Sequence, residues 1–228
     1  MRYEIHGTTM QTLDVYLSQG ETMFTEAGGM AWMKGNVEMN TNTKGGLMAG
    51  LGRKLAGESL FMTTYTGQDA GEVLIVFAPE APGKILPIKL GEGQSMICQR
   101  DAFMCAQGSV DLKMHFRKKL GSGLFGGEGF ILQRVTGPGY AFLEIPGEVR
   151  EYSLAAGETM KIDPGHIALF ETTIDYDIQM VKGLTNIFFG GEGLFLATLR
   201  GPGRIWLQSM PLSNLAGKLA KYLPTQRS

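Results

Sequence analysis

The sequence predicts an all-β protein: three tandem β-sandwich units of jelly-roll type with approximate threefold pseudosymmetry, followed by a short amphipathic helix. Three observations carry this expectation. Landmark motifs recur along the chain at nearly constant offsets, apolar residues alternate with period two, and glycine and proline punctuate the alternation with no helical period before the tail.

The landmarks come in a fixed order. The first is Leu-x-x-Gly-[Glu/Gln]-[Thr/Ser]-Met, at Leu17–Met23, Leu90–Met96 and Leu154–Met160. The second is the box Gly126-Gly127-Glu128-Gly129-Phe130, repeated as Gly190-Gly191-Glu192-Gly193-Leu194 and, more weakly, as Ala56-Gly57-Glu58-Ser59-Leu60. The third is a turn: Thr66-Gly67, Thr136-Gly137-Pro138-Gly139 and Arg200-Gly201-Pro202-Gly203. Units two and three keep one offset of 64 residues across all three landmarks. These positions divide the chain into units at 1–82, 83–146 and 147–211, with a helix at 212–224. A unit this small buries too little surface to be stable alone, so the three are expected to pack together as one compact body.

Within each unit the strands read off the alternation. Ile174, Tyr176, Ile178 and Met180 alternate with Asp175, Asp177 and Gln179, and the same phase appears at Val110, Leu112, Met114 and Phe116 and more faintly at Val37, Met39 and Thr41. One buried and one wet face give that pattern. Further strands are predicted after each box, at Leu60–Thr64, Phe130–Val135 and Leu194–Leu199. Beyond each glycine turn come Glu72–Ala78, Tyr140–Ile145 and Arg204–Leu207. In the tail, Leu212, Leu215, Leu219 and Leu223 recur at helical spacing, with Ser213 as the expected N-cap and Pro224 as the stop. Packing on the sandwich or on a neighbouring subunit is the role expected of that helix.

Triplicated β-units, the Gly-Gly-Glu-Gly-[Phe/Leu] box ahead of a Gly-Pro-Gly turn, and a Leu-rich tail ending in Tyr222-Leu223-Pro224 together resemble the family of the mitochondrial altered-inheritance (biogenesis) protein and its uncharacterised bacterial and archaeal relatives. The resemblance covers essentially the whole chain. It implies tandem copies of a fold like that of the tryptophan RNA-binding attenuation protein (TRAP-like), a homo-oligomer, and a scaffold-like role. It brings no catalytic set with it.

Composition narrows the function classes. The formal net charge is −1 and the pI near 6.3, so no overall field gathers nucleic acid or an acidic membrane. No nucleic-acid partner is expected, because Asp111, Asp175 and Asp177 stand where RNA readers carry stacking aromatics beside a positive track. The opening residues contain no apolar secretory core, and the apolar runs are strand-length, so the expectation is a soluble cytoplasmic protein.

The chemistry-bearing motifs each have a structural alternative. Gly121-Ser122-Gly123-Leu124-Phe125-Gly126 matches a dinucleotide fingerprint in letters, but a strand and not a helix follows it. His6, His115 and His166 are too dispersed for a metal centre, and Cys98 and Cys105 align with apolar residues of the sister units (Cys105 with both Leu169 and Trp32), as buried thiols do. Neither cofactor, metal nor catalytic residues are expected. The candidate interaction positions are the repeated Glu58, Glu128 and Glu192, the aligned Leu47, Leu120 and Leu184, and the basic Arg117, Lys118 and Lys119. Apolar-basic loops at these places suggest burial between units and subunits, or contact with a protein partner or the inner face of a membrane. The resulting expectation is a non-enzymatic homo-oligomeric scaffold, taken as a trimer and membrane-peripheral by extension. The alternative is a cupin-like small-ligand or metal-binding sandwich using the three glutamates.

Overall fold

The computed structural model describes residues 1–26, 29–43, 61–118, 129–180, 195–220 and 222. Among these residues the chain forms nineteen strands and one α-helix. In chain order the strands are β1 (Arg2–His6), β2 (Thr12–Leu17), β3 (Thr22–Glu26), β4 (Met30–Lys34), β5 (Val37–Thr43), β6 (Phe61–Gly67) and β7 (Val73–Phe77). Then come β8 (Gly83–Leu90), β9 (Ser95–Gln99), β10 (Phe103–Gln107), β11 (Asp111–Lys118), β12 (Phe130–Thr136) and β13 (Gly139–Pro146). The last are β14 (Val149–Leu154), β15 (Thr159–Ile162), β16 (Ile167–Glu171), β17 (Asp175–Met180), β18 (Phe195–Arg200) and β19 (Gly203–Gln208), before helix α1 (Leu212–Ala220). The all-β expectation with a C-terminal helix holds.

Four sheets contain these strands, in the orders β1-β2-β7-β4, β5-β6-β3-β10-β13-β8, β11-β12-β9-β16-β19-β14 and β15-β18-β17. The third order is the second advanced by six strands. The first ends in the half that closes the pattern (β2, β7 and β4, equivalent to β8, β13 and β10), and the fourth holds the half that opens it (β15, β18 and β17, equivalent to β3, β6 and β5).

Two compact bodies emerge from the packing: residues Met1–Ser95, Asp101–Met114 and Arg134–Ile145 form one, and Met96–Arg100, His115–Gln133 and Pro146–Ser228 the other. The first body's core gathers Leu13, Val15 and Leu17 from β2, Val73, Ile75 and Phe77 from β7, and Met23, Tyr65, Cys105 and Phe142. Strict alternation on β2 sends every second side chain inward, which is why Leu13, Val15 and Leu17 are buried while Thr12, Asp14 and Tyr16 are only partly covered. In the second body Phe130, Leu132, Phe170, Ile178, Ala197, Leu199 and Ile205 form the core. Each fully buried aliphatic or aromatic side chain here contributes about 2 kcal/mol of hydrophobic stabilisation.

The Leu-x-x-Gly-[Glu/Gln] signature proves to be a tight turn that carries the chain from one sheet to the next, between β2 and β3, β8 and β9, and β14 and β15. Its glycines, Gly20, Gly93 and Gly157, have φ of +78°, +68° and +80°, which side chains with a Cβ rarely adopt. The acid or amide that follows has its own duty. Glu21 accepts from the Ser18 backbone N–H (2.9 Å), Gln94 from that of Gly91 (3.0 Å) and Glu158 from that of Ala155 (2.8 Å).

The glycine turns of the third landmark close against these sheet-to-sheet turns. The N–H groups of Gly67, Gly137 and Gly201 donate to the carbonyls of Glu21, Gln94 and Glu158 at 3.1, 3.0 and 3.0 Å. A Cβ on Gly137 would lie 2.4 Å from the Gly91 carbonyl oxygen, and one on Gly201 2.4 Å from that of Ala155, so no larger residue fits. Two of the sequence landmarks are therefore the two halves of one backbone contact.

One expectation about α1 fails. The helix begins at Leu212, one residue before the expected cap, and the Pro211 carbonyl accepts from the N–H groups of Asn214 (3.0 Å) and Leu215 (3.2 Å). Ser213 therefore sits inside the first turn and does not cap it. Proline is suited to the start of a helix because it has no N–H to leave unpaired. The expected extension of the helix to 224 falls largely outside the described residues.

Candidate functional site

Most of the positions the sequence singled out, Glu58, Glu128, Glu192, Leu47, Leu120, Leu184 and Lys119, lie outside the described residues. The two that are described sit at the end of β11. Arg117 is exposed, whereas Lys118 is half-buried and donates through Nζ to the Ile178 carbonyl, which commits its charge to a strand end.

The titratable groups have structural surroundings. His166 bonds through Nδ1 to the Gln208 carbonyl at 2.7 Å, at a 3₁₀ turn (Pro164–His166) whose Asp163 Oδ1 accepts from the Gly165 N–H. The His115 ring lies 6.0 Å from that of Tyr176 and is half-buried, although its place in the alternation reads as the wet phase. The strand is partly covered on both faces there. Cys98 and Cys105 are wholly buried and unoxidised, and burial pushes the Cys105 thiol well above its ordinary pKa, away from nucleophilic use. Among the described residues no three His, Cys, Asp or Glu side chains converge as metal ligands do.

One carboxyl that the sequence reading passed over is strongly perturbed. Burial raises Glu144, on β13, to about 7, and the charges of Glu80 and Asp101 add to the rise against an opposing bond from the Glu80 N–H (2.8 Å). Its register counterpart in the second body is the neutral Gln208, which donates to the Gly165 carbonyl at 2.7 Å.

The most unusual surface is a strand edge. In the second sheet β10 is enclosed between β3 and β13, and in the third β16 is enclosed between β9 and β19. Strand β4 meets β7 with the same register irregularity: the shift falls between Met30 and Trp32, as it does between Phe103 and Cys105 on β10 and between Ile167 and Leu169 on β16. Yet β4 has β7 as its neighbour on one side only. Cys105 and Leu169 are 0% exposed; Trp32, at their register position, is 54% exposed, and Met33 beside it 41%. The complementary gap is at β15, which pairs with β18 alone, while β3 and β9 each have neighbours on both sides. Sequence alignment of Trp32 with Cys105 and Leu169 placed it correctly as an apolar position. It held no signal that β4 stands at the edge of its sheet.

With this geometry in view, comparison with known proteins is informative. Residues 3–210 match the mitochondrial biogenesis AIM24 family. The chain belongs to that family. An uncharacterised protein of Streptococcus pyogenes serotype M6 is 34% identical over 234 residues, spanning 99% of this chain and 92% of the relative. The X-ray crystal structure of a Streptococcus pyogenes protein is similar throughout, with a TM-score of 0.79 at 30% identity, covering 97% of this chain and 99% of the other. The family resemblance read from the Gly-Gly-Glu-Gly boxes and the Leu-rich tail is thereby established. Among the described residues no helix is long and apolar enough to cross a membrane.

Proposed function

We propose that the protein is a non-enzymatic assembly protein: three tandem units of one strand order that act as a scaffold by forming a homo-oligomer in the cytoplasm. The observation that carries this reading is the uncovered β4 edge, where Trp32 and Met33 are exposed at positions that are buried in β10 and β16. An apolar strand with an open row of backbone donors and acceptors is an association surface unless something covers it. Its exposure in the single chain supports a covered state in an assembly. The strand order supports the tandem arrangement, since the third sheet advances the second by six strands.

Light scattering coupled to size exclusion tests the reading. The intact protein is expected to elute at a multiple of its 24.8 kDa mass, and Trp32→Glu to shift it toward one chain by placing a charge on the edge. A single-chain mass at every concentration would overturn the proposal.

A further inference from the structure

We infer that β15 of one copy adds to the free edge of β4 of a second copy, antiparallel, with Trp32 opposite Ile162, Met33 opposite Lys161 and Lys34 opposite Met160. This rests on the assembly reading above and names its partner and register.

The register follows from two junctions already present in the chain. Strand β3 pairs with β10 through Thr25↔Cys105, Phe24↔Ala106 and Met23↔Gln107. Strand β9 pairs with β16 through Cys98↔Leu169, Ile97↔Phe170 and Met96↔Glu171. Both are antiparallel, and both join a strand that follows the Gly-[Glu/Gln] turn to a strand that carries the register irregularity. The remaining strand of the first kind is β15 and the remaining strand of the second kind is β4. Each has the corresponding inner neighbour: β15 pairs with β18 through Met160↔Leu199, as β3 pairs with β6 through Met23↔Tyr65, and β4 pairs with β7 through Trp32↔Val76, as β10 pairs with β13 through Cys105↔Phe142. The other sheet edges do not show such a gap. Strands β5, β11 and β17 end a sheet in all three units, and β8 and β14 do so in two, so those are edges by design of the strand order. Among the described residues, β4 and β15 are the interior types with one neighbour missing.

The chemistry of the two edges agrees. Trp32 and Met33 expose apolar side chains on the two faces of the β4 edge, and on β15 Met160 is half-buried and apolar beside Ile162, which is buried in its own core. Lys161 is the exception. It is exposed where the sister strands carry the buried Phe24 and Ile97, and a lysine on an edge strand opposes pairing, so this position sets the strength of the contact. Because every copy carries one β4 and one β15 edge, the pairing is head to tail, and copies add in series, into a ring where the rotation closes and a filament where it does not.

The test mixes two full-length variants that each carry one added cysteine, Met33→Cys and Lys161→Cys, under mild oxidation. The native Cys98 and Cys105 are fully buried and do not compete. Directly opposed residues on antiparallel strands have Cβ atoms about 5 Å apart, within reach of a disulfide. The expected result is a covalent two-chain species on a non-reducing gel, formed about tenfold more from the mixture than from either variant alone. Lys161→Ile, which restores the sister-strand residue, is expected to tighten association about tenfold, read as the concentration at which the oligomer dissociates. An oligomer by light scattering without enrichment of the mixed disulfide would overturn this pairing while the assembly reading stands. A single-chain mass for both the native protein and Lys161→Ile would overturn both.

Discussion

The two compact bodies run the same strand order through a six-stranded sheet, yet they treat two corresponding positions in opposite ways. In the second body the strand with the register irregularity, β16, is enclosed and Leu169 is inaccessible; the first body contains both an enclosed version, β10, and an open one, β4, where Trp32 stands out from the surface. At a second position the first body carries Glu144, a carboxyl near neutrality, where the second carries Gln208. The difference teaches that an apolar residue at a repeated position says nothing about coverage by itself. Coverage depends on whether the strand has a neighbour on both sides, and that depends on where in the chain the unit stands.

Five substitutions in three groups sharpen or break this comparison. The largest effect is expected where the bodies agree. Gly137→Ala and Gly201→Ala should each cost about 3–4 kcal/mol, because the new Cβ meets backbone oxygens that cannot turn away. Urea unfolding measures this, and a cost confined to one of the two sites would show that the two turn contacts are not equivalent.

Next comes the pair where they differ. Leu169→Ala should lose about 3 kcal/mol through its cavity, whereas Trp32→Ala should cost less than about 0.5 kcal/mol in dilute protein. If both cost the same at a concentration where one chain is present, the distinction between enclosed and open strand is wrong.

The smallest effect concerns pH. Glu144 has its folded pKa raised to about 7 from 4.5, so between these values the folded state holds a proton that the unfolded state has released. Its contribution is fully present below pH 4.5, falls as pH rises through that window and levels off above it. About 2 kcal/mol should be lost across the window after allowing for its partial exposure, and Glu144→Gln should flatten the curve. Stability profiles at closely spaced pH, compared between the two proteins, check this; a Gln variant with an unchanged slope would remove Glu144 as the cause.

Much of the fold was legible because its determinants are local. Strands at 73–77, 139–146 and 203–208 follow glycine turns that the letters announce, and the alternation at Ile174, Tyr176 and Ile178 matches β17, with Ile174 and Ile178 buried. The Leu-x-x-Gly motif was visible as a repeat, although its role as the partner of the Gly-Pro-Gly turn was not. That role depends on hydrogen bonds between residues more than forty positions apart, such as Gly137 with Gln94. The candidate site was hardly legible. The reading settled on glutamates and loops that lie outside the described residues, and it passed over Trp32, Met33 and Glu144 because residue type gives no measure of what surrounds a side chain.

By itself the sequence determined the all-β class, the repeated turns, the buried thiols and the family, since period, glycine conformation and apolar identity act over a few residues. Only the tertiary structure decided which strands lie inside a sheet and which are left at its rim. Backbone pairing between sequence-distant strands sets that, and among the described residues it leaves β4 and β15 with one neighbour each.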